Sequence, residues 1–459
     1  MKQKRAFQID MCHGPLFGKM LLFAVPLMLS SMLQLLFNAV DIIVVGRFVG
    51  QSALAAVGST SSLINLLINI FVGLSIGTNV LTARYIGAKK EEEVSAVIHT
   101  SVLISLISGT VLIVIGVCFS GVFLSLMGTP SDVIDQASLY MRIYFIGMPA
   151  MMLYNFCSAV LRAIGDTKRP LVFLLIAGVI NAILNLNFVL VFHLGVAGVA
   201  IGTVVSQTVS AYLILRCLMK EEGACHFSFH CLKIHPNILL RMARIGLPAG
   251  LQGAVFSVSN VLIQSSINSF GSIVMAGSTA ASNLENFVYA AMNSMYQTAI
   301  SFTSQNYGAG KYRRIIRVQI LAVSMVVVIG VVLGGGCYLF SHSLLRIYQS
   351  DPQVIQYGAI RLGFVCLPYF LCGIMDAMVG GLRGLGYSIM PMIVSLTGAC
   401  GLRIIWNYTI FQMDHTLSTL FLSYPVTWFV TATTHIICYI IVIQKLKKRV
   451  GKEVWSESL

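Results

Sequence analysis

Three carboxylates stand inside long apolar runs of this 459-residue chain: Asp41, Glu285 and Asp376. A carboxylate in hydrocarbon is costly unless solvated, paired or protonated, so each marks a place where charge is handled. Gln34 and Asn38 share the helical face of Asp41, at i−7 and i−3. Asn181 and Asn185 are four apart and so lie on one face of a second run. Counting about 1.5 Å per residue brings Asn185 and Thr203 roughly 10–12 Å below the outer ends of their runs, and Asp41 also falls in the outer half. Hard oxygen donors at a shared depth suit Na⁺, whereas a single buried carboxylate suits H⁺. The plainer alternative is an interhelical hydrogen-bond network.

Glu285 carries Tyr289, Met292 and Tyr296 along its own face. Aromatic faces and a carboxylate attract positive charge, and methionine adapts to varied shapes, which together suit a lipophilic cation. In the plainer reading the Tyr and Met fill the core while Glu285 pairs with Arg403, which falls at similar counted depth. Asn286, Asn293 and Gln297 form a neighbouring stripe that either lines a wet cleft or bonds between helices.

The elements that position these residues must be membrane helices. The chain is 57% hydrophobic and 10% charged, with a mean hydropathy of +0.85; soluble domains average about a quarter charged. Twelve apolar runs of spanning length are expected at 16–45, 52–83, 94–117, 137–161, 170–193, 196–219, 243–268, 275–304, 315–340, 357–381, 390–411 and 417–444. Runs such as Val111 to Phe119 do not alternate, which excludes an outer-membrane barrel. The first run is too long for a cleavable signal and lacks a small-residue cleavage site, so the first span is expected to direct its own insertion. Pro26, Pro149, Pro248 and Pro368, each in a different run, can permit bends during transport or simply kink the packing.

The net charge of +14 encodes topology rather than nucleic-acid binding. One side, formed by both termini and the even-numbered loops, collects 25 of the 30 Lys and Arg, among them Lys2, Lys4, Arg5, Lys89, Lys90, Lys168, Arg169, Arg313, Arg314, Lys447, Lys448 and Arg449. The other keeps Arg47 and Arg346 with Asp132, Asp135, Asp351 and Asp414. The positive-inside bias therefore puts both termini in the cytoplasm, in a multi-pass protein of the plasma membrane, bacterial inner-membrane type. The eleven cysteines form no CxxC and read as small apolar residues. Glu91-Glu92-Glu93 reads as a solvated helix start.

An internal repeat organises the spans. At an offset near 221, Leu161-Arg162-Ala163-Ile164-Gly165 meets Leu382-Arg383-Gly384-Leu385-Gly386, Pro170 meets Pro391, and Gly87-Ala88-Lys89-Lys90 meets Gly308-Ala309-Gly310-Lys311. Pro26 meets Pro248 one residue out of step. Six spans per copy make these parallel repeats, so the expected architecture is an all-α integral membrane protein of twelve transmembrane helices in two pseudo-symmetric six-helix bundles. The lobes are expected at 1–220 and 241–459, with a connection at 221–240 and substrate between the halves near the midplane. The copies differ inside: Ile263 stands where the repeat would place a match for Asp41, and Asp376 matches Asn155.

No GxxxxGK[ST] occurs, so transport is driven by a gradient rather than by a nucleotide. The motifs Asn38-Ala39-Val40-Asp41, Val45-Gly46, Ala53-Leu54-Ala55-Ala56-Val57-Gly58, Tyr85-Ile86-Gly87-Ala88, Leu161-Arg162-Ala163-Ile164-Gly165-Asp166-Thr167-Lys168-Arg169-Pro170 and Gly195-Val196-Ala197-Gly198-Val199-Ala200 occur in an ordered set. That set resembles the multidrug and toxic compound extrusion (MATE) family over nearly the whole chain. The resemblance implies a secondary antiporter that exports lipophilic, often cationic compounds in exchange for Na⁺ or H⁺ by alternating access. It makes Asp41 the amino-lobe coupling carboxylate and extends ion-coupling roles to Asn181, Asn185, Thr203 and Asn155. Many family members carry Asp where this chain has Asn185, and some use a Glu in the seventh span where it has Ser257 and Ser259. Cargo contacts are expected from Glu285, Tyr289, Met292, Tyr296, Asp376, Gln34 and Asn38.

The major facilitator pattern GxxxDRxGRR is absent. A flippase for lipid-linked oligosaccharide or another amphipathic lipid precursor is the alternative carrier. It would need a cationic cleft, whereas the interior count of Asp41, Glu285 and Asp376 against Arg403 favours cationic cargo. An enzyme is not expected, because His193 and His435, in or bordering the spans, have no evident catalytic partner. Cys225-His226, His230-Cys231 and His235 lack standard zinc spacing. No cofactor is expected, and no metal beyond Na⁺ at Asp41; the partners are small lipophilic cations and membrane lipid, and the chain is expected to act as a monomer.

Overall fold

The computed structural model describes residues 7–127, 129–130, 133–348 and 350–457. Of the charges assigned above to the two sides, Lys2, Lys4, Arg5 and Asp132 lie outside the described residues. Among the described residues there is no strand. The first six passes are α1 (Leu16–Phe48), α2 (Gln51–Gly87), α3 (Glu91–Leu126), the pair α4 (Ile134–Ile146) and α5 (Met148–Ala163), α6 (Lys168–Leu190) and α7 (Gly195–Met219). The second six begin with α8 (Pro236–Asn268), α9 (Ser272–Gly308) and α10 (Tyr312–Leu339), and a short α11 (Ser341–Arg346) follows. They continue with the pair α12 (Pro352–Cys366) and α13 (Tyr369–Gly384), then α14 (Ile389–Ser395), a π-helix at Leu396–Gly401, α15 (Leu402–Tyr408) and α16 (Ile410–Met413). The last pass is α17 (Leu417–Val450), with α18 (Lys452–Glu457) after it.

Among the described residues, eleven of the twelve expected passes are long and apolar enough to cross a membrane, nine as single stretches and two as bent pairs. The twelfth is α9, whose 37 residues are ample in length but rich in Ser, Asn and Gln. The bent pairs have a covalent cause. Proline lacks the N–H of the helix ladder and its ring clashes with the preceding turn; the α4–α5 bend of 47° lies beside Pro149 and the α12–α13 bend of 43° beside Pro368. Pro26 and Pro248 sit inside the continuous helices α1 and α8. The repeat is visible in the backbone itself. Gly50 and Gly271 open α2 and α9 at φ 123° and 95°, and Gly165 and Gly386 turn the chain at φ 93° and 95°, values that favour glycine.

Packing gathers the chain into two units. One holds the described part of Met1–Ile9 with Leu29–Ala254, the other Asp10–Met28 with Val255–Leu459. The divisions thus fall inside α1 and α8, shortly after Pro26 and Pro248, and each unit includes the leading half of the helix that opens the other repeat. In the first unit that half of α8 meets α2 backbone to backbone. Gly73 on α2 faces Gly246 and Gly250 on α8, and Gly77, one turn on, faces the backbone of Met242, so two GxxxG stripes lie at one contact. A Cβ on Gly73 would stand 2.3 Å from the Gly250 nitrogen, and one on Gly77 2.3 Å from the Met242 carbonyl oxygen. With little water to expel from hydrocarbon, such close approach replaces the hydrophobic effect as the source of cohesion.

The 221–240 connection docks on α3 of the same unit. Phe227 is fully buried and stacks on His99 at 5.3 Å, while the Ser228 amide donates to His99 Nε2 at 3.2 Å. The His235 amide donates to Thr100 Oγ1 at 3.2 Å. Among the described residues, no three His, Cys, Asp or Glu side chains converge as a metal-holding group. We expect Gly77→Ala to force α2 and α8 apart and to destabilise the fold by about 1–3 kcal/mol, the usual cost of overpacking; a thermal melt of the purified variant followed by size-exclusion chromatography measures this.

Candidate ion and substrate sites

In the first unit, α1 carries Asp41 seven residues before its end, and α6 and α7 bring neutral polar groups to it. The Asn185 amide donates to Asp41 Oδ1 at 2.5 Å, and Thr203 Oγ1 donates to Oδ2 at 3.5 Å. Behind them the Asn181 amide donates to Thr203 Oγ1 and its oxygen accepts from Asn185, both at 3.2 Å. Four of the residues singled out in the sequence therefore form one network. Gly202 makes the room for it, since a Cβ there would stand 2.1 Å from Asn185 Oδ1. That oxygen is buried and has no hydrogen-bond partner.

Asp41 is 9% exposed, and among the described residues no Lys or Arg pairs with it; its close partners are Thr203 and Asn185. Amide and hydroxyl dipoles stabilise the negative charge without cancelling it. The arrangement can therefore take up a cation or a proton. Tyr140 and Tyr144, stacked 5.9 Å apart on α4, lie within electrostatic reach of the same carboxylate. Their i, i+4 spacing was the available sequence signal. Gln34 and Asn38 are exposed and stand outside the network. Asn155 spends its amide on the Met151 carbonyl one turn back, at 2.9 Å.

In the second unit the stacked face of α9 meets the broken pass α12–α13 residue by residue. Glu285 receives both arms of Arg361, Nε to Oε1 at 2.7 Å and Nη2 to Oε2 at 2.8 Å, and Arg361 Nη1 donates to Ser278 Oγ at 2.6 Å. Tyr289 hydrogen-bonds Asp376. Met292 packs its sulfur over Gly373, where a Cβ would stand 3.0 Å away. Tyr296 accepts from Arg383 Nη1 through its hydroxyl, and the Arg383 guanidinium lies 5.6 Å over its ring.

Two sequence expectations change here. The Glu285–Arg403 pairing does not form, because Arg361 holds Glu285 in a bidentate grip, while Arg403 lies over Tyr424 and Trp428 at 4.2 and 5.9 Å. Counting depth along straight helices could not rank the two arginines, since the pass of Arg361 bends by 43° and a π-helix precedes Arg403. The interior acid excess is also absent from this unit. Arg361, Arg383 and Arg403 are buried, so three cations stand against Glu285 and Asp376. Arg361 was legible as a lone arginine inside the run at 357–381.

The MatE family model matches residues 26–187 and 248–409, two segments that begin and end 222 residues apart. The probable multidrug resistance protein YoeA of Bacillus subtilis is similar at 33% identity over 394 residues, covering 84% of this chain and 85% of that protein. The multidrug export protein MepA of Staphylococcus saprophyticus is 22% identical, with 92% and 96% covered. An outward-facing multidrug resistance MATE transporter superposes with a TM-score of 0.90 at 21% identity, over 96% of this chain and 99% of that one, a likeness of fold. Arg361→Met would leave Glu285 buried without its partner and is expected to lower stability by about 3–5 kcal/mol. Adding Glu285→Gln to that variant should recover most of the loss, as read by thermal unfolding of the single and double variants.

Proposed function

The chain belongs to the MatE family of multidrug and toxic compound extrusion transporters, and on that footing we propose that it exports lipophilic compounds, cations among them, in exchange for inward H⁺ or Na⁺ by alternating access. It is a multi-pass membrane protein, and the basic bias of its loops supports both termini on the cytoplasmic side. The relatives named above are described as drug-resistance and drug-export proteins, which favours drug cargo over a lipid-linked sugar. We assign no cofactor beyond the coupling ion and take the monomer as the working unit.

One observation carries the antiport reading: Asp41 is a buried carboxylate held, among the described residues, by the neutral donors Asn185 and Thr203. Such a group is stable when a proton or cation joins it and unstable when left bare, so binding and release of the ion bias the conformation of its surroundings. Cationic cargo is assigned to Asp376 and Tyr289 rather than Glu285, whose charge is already met by Arg361. Asp41→Asn is expected to abolish dye efflux from proteoliposomes under separately imposed H⁺ and Na⁺ gradients; ordinary efflux by this variant, or transport by the wild type with neither gradient, would overturn the assignment. Gly202→Ala, which drives a methyl group into Asn185, is expected to cut gradient-driven efflux by at least about tenfold in the same assay.

A further inference from the structure

Arg403 is 2% exposed in a membrane-spanning segment, yet among the described residues it has no carboxylate partner. Glu285 is committed to Arg361, and Asp376 to Tyr289, with Arg383 as its electrostatic neighbour. One face of the Arg403 guanidinium is covered by Tyr424 and Trp428. Its Nη2 donates to Thr427 Oγ1 over a long 3.3 Å, and its Nε is buried with no acceptor. A guanidinium stacked by its face keeps its N–H edge for a planar oxyanion, which it binds through two parallel hydrogen bonds.

The repeat sharpens the point. At the 222-residue offset at which the two family matches begin and end, Arg403 stands at the position of Asn181, Asn407 at that of Asn185, and Ile263 at that of Asp41. The second unit thus carries, at the position equivalent to the coupling network, a cation in place of an amide and an apolar residue in place of the acid. Around Pro170 and Pro391 the offset is 221, so one additional residue enters the pass that contains the π-helix Leu396–Gly401. A π turn holds an extra residue and is common where a helix serves a site. Its wider, weaker turn lies immediately before Arg403 and is where this pass can yield to admit a ligand.

We propose that Arg403 is a binding site for the carboxylate of an aromatic acid, so that the second lobe accepts acidic as well as cationic cargo. Arg403 would take the carboxylate on the edge that carries Nε, which has no acceptor, with Nη2 exchanging its long bond to Thr427 for the second oxygen. The rings of Trp428, Tyr369 and Tyr289, stacked in series at 5.2 and 6.4 Å, offer a wall for the flat apolar body. The proposal rests on the export reading for its physiological meaning, but the site is testable by binding alone.

Equilibrium binding of 1-pyrenebutyrate is compared with that of its neutral isostere 1-pyrenebutyramide, using the full-length protein in phosphatidylcholine nanodiscs. The wild type is expected to prefer the acid by about tenfold or more, because a buried polar site rejects an analogue that cannot pair with it. Arg403→Gln should level the two affinities, and Arg403→Lys, which keeps the charge but not the fork, should fall between them. Equal affinity of the wild type for acid and amide would overturn the proposal without recourse to any variant, as would an undiminished preference in folded Arg403→Gln. Loss of the preference when phosphatidylglycerol is included would make this a lipid-phosphate site and overturn the carboxylate assignment. Asp41→Asn should keep the preference while losing export, so failure of coupling and failure of this site read out separately.

Discussion

Hydrocarbon offers a polar group no water, so each buried charge or amide in this protein must find its partner within the protein or in what it carries. The two repeats meet that demand in opposite ways. Around Asp41 the partners are neutral, leaving a full negative charge for a mobile ion to meet. Around Glu285 the partner is a permanent cation, and the charge is closed off within the protein. A site open to an ion and a site sealed by an arginine have different work to do, although they belong to copies of one ancestral unit.

The copies have kept what the backbone needs and changed what the interior holds. Gly50 and Gly271, and again Gly165 and Gly386, retain positive φ at equivalent points. The fourth pass of each copy is broken beside a proline, Pro149 or Pro368. These features set the path of the chain: an L side chain would be strained at those glycines, and the prolines interrupt the helix ladder. Side chains facing inward carry no such covalent obligation. Tyr140 near Asp41 has Arg361 as its counterpart at the 221-residue offset, and that exchange accompanies the change from an open carboxylate to a paired one.

Cohesion without water also explains the small residues. Gly73, Gly77, Gly246 and Gly250 let two backbones touch, and Gly202 lets Asn185 stand beside Asp41. The first four hold the leading half of α8 in the first unit. The fifth shapes a site. Both uses depend on the missing Cβ, and neither is announced by hydropathy.

The amino-acid sequence by itself determined the class, the passes and the repeat, while the grouping of Asn181, Asn185 and Thr203 with Asp41 came from the family resemblance, which also drew in Asn155, whose amide is spent on Met151. Hydrophobic runs must be about a membrane thickness long, a buried carboxylate is conspicuous in them, and Asn181 and Asn185 share a face by helical period alone. It also displayed the GxxxG pairs, although two such stripes acquire meaning only when they face each other. Tertiary structure alone decided the partners in the second unit. Bends at Pro368 and a π-helix before Arg403 alter depth and azimuth by amounts that residue counting cannot follow. Which arginine reached Glu285, and which was left stacked on Tyr424 and Trp428 with no carboxylate, therefore depended on how the broken helices pack rather than on the order of their residues.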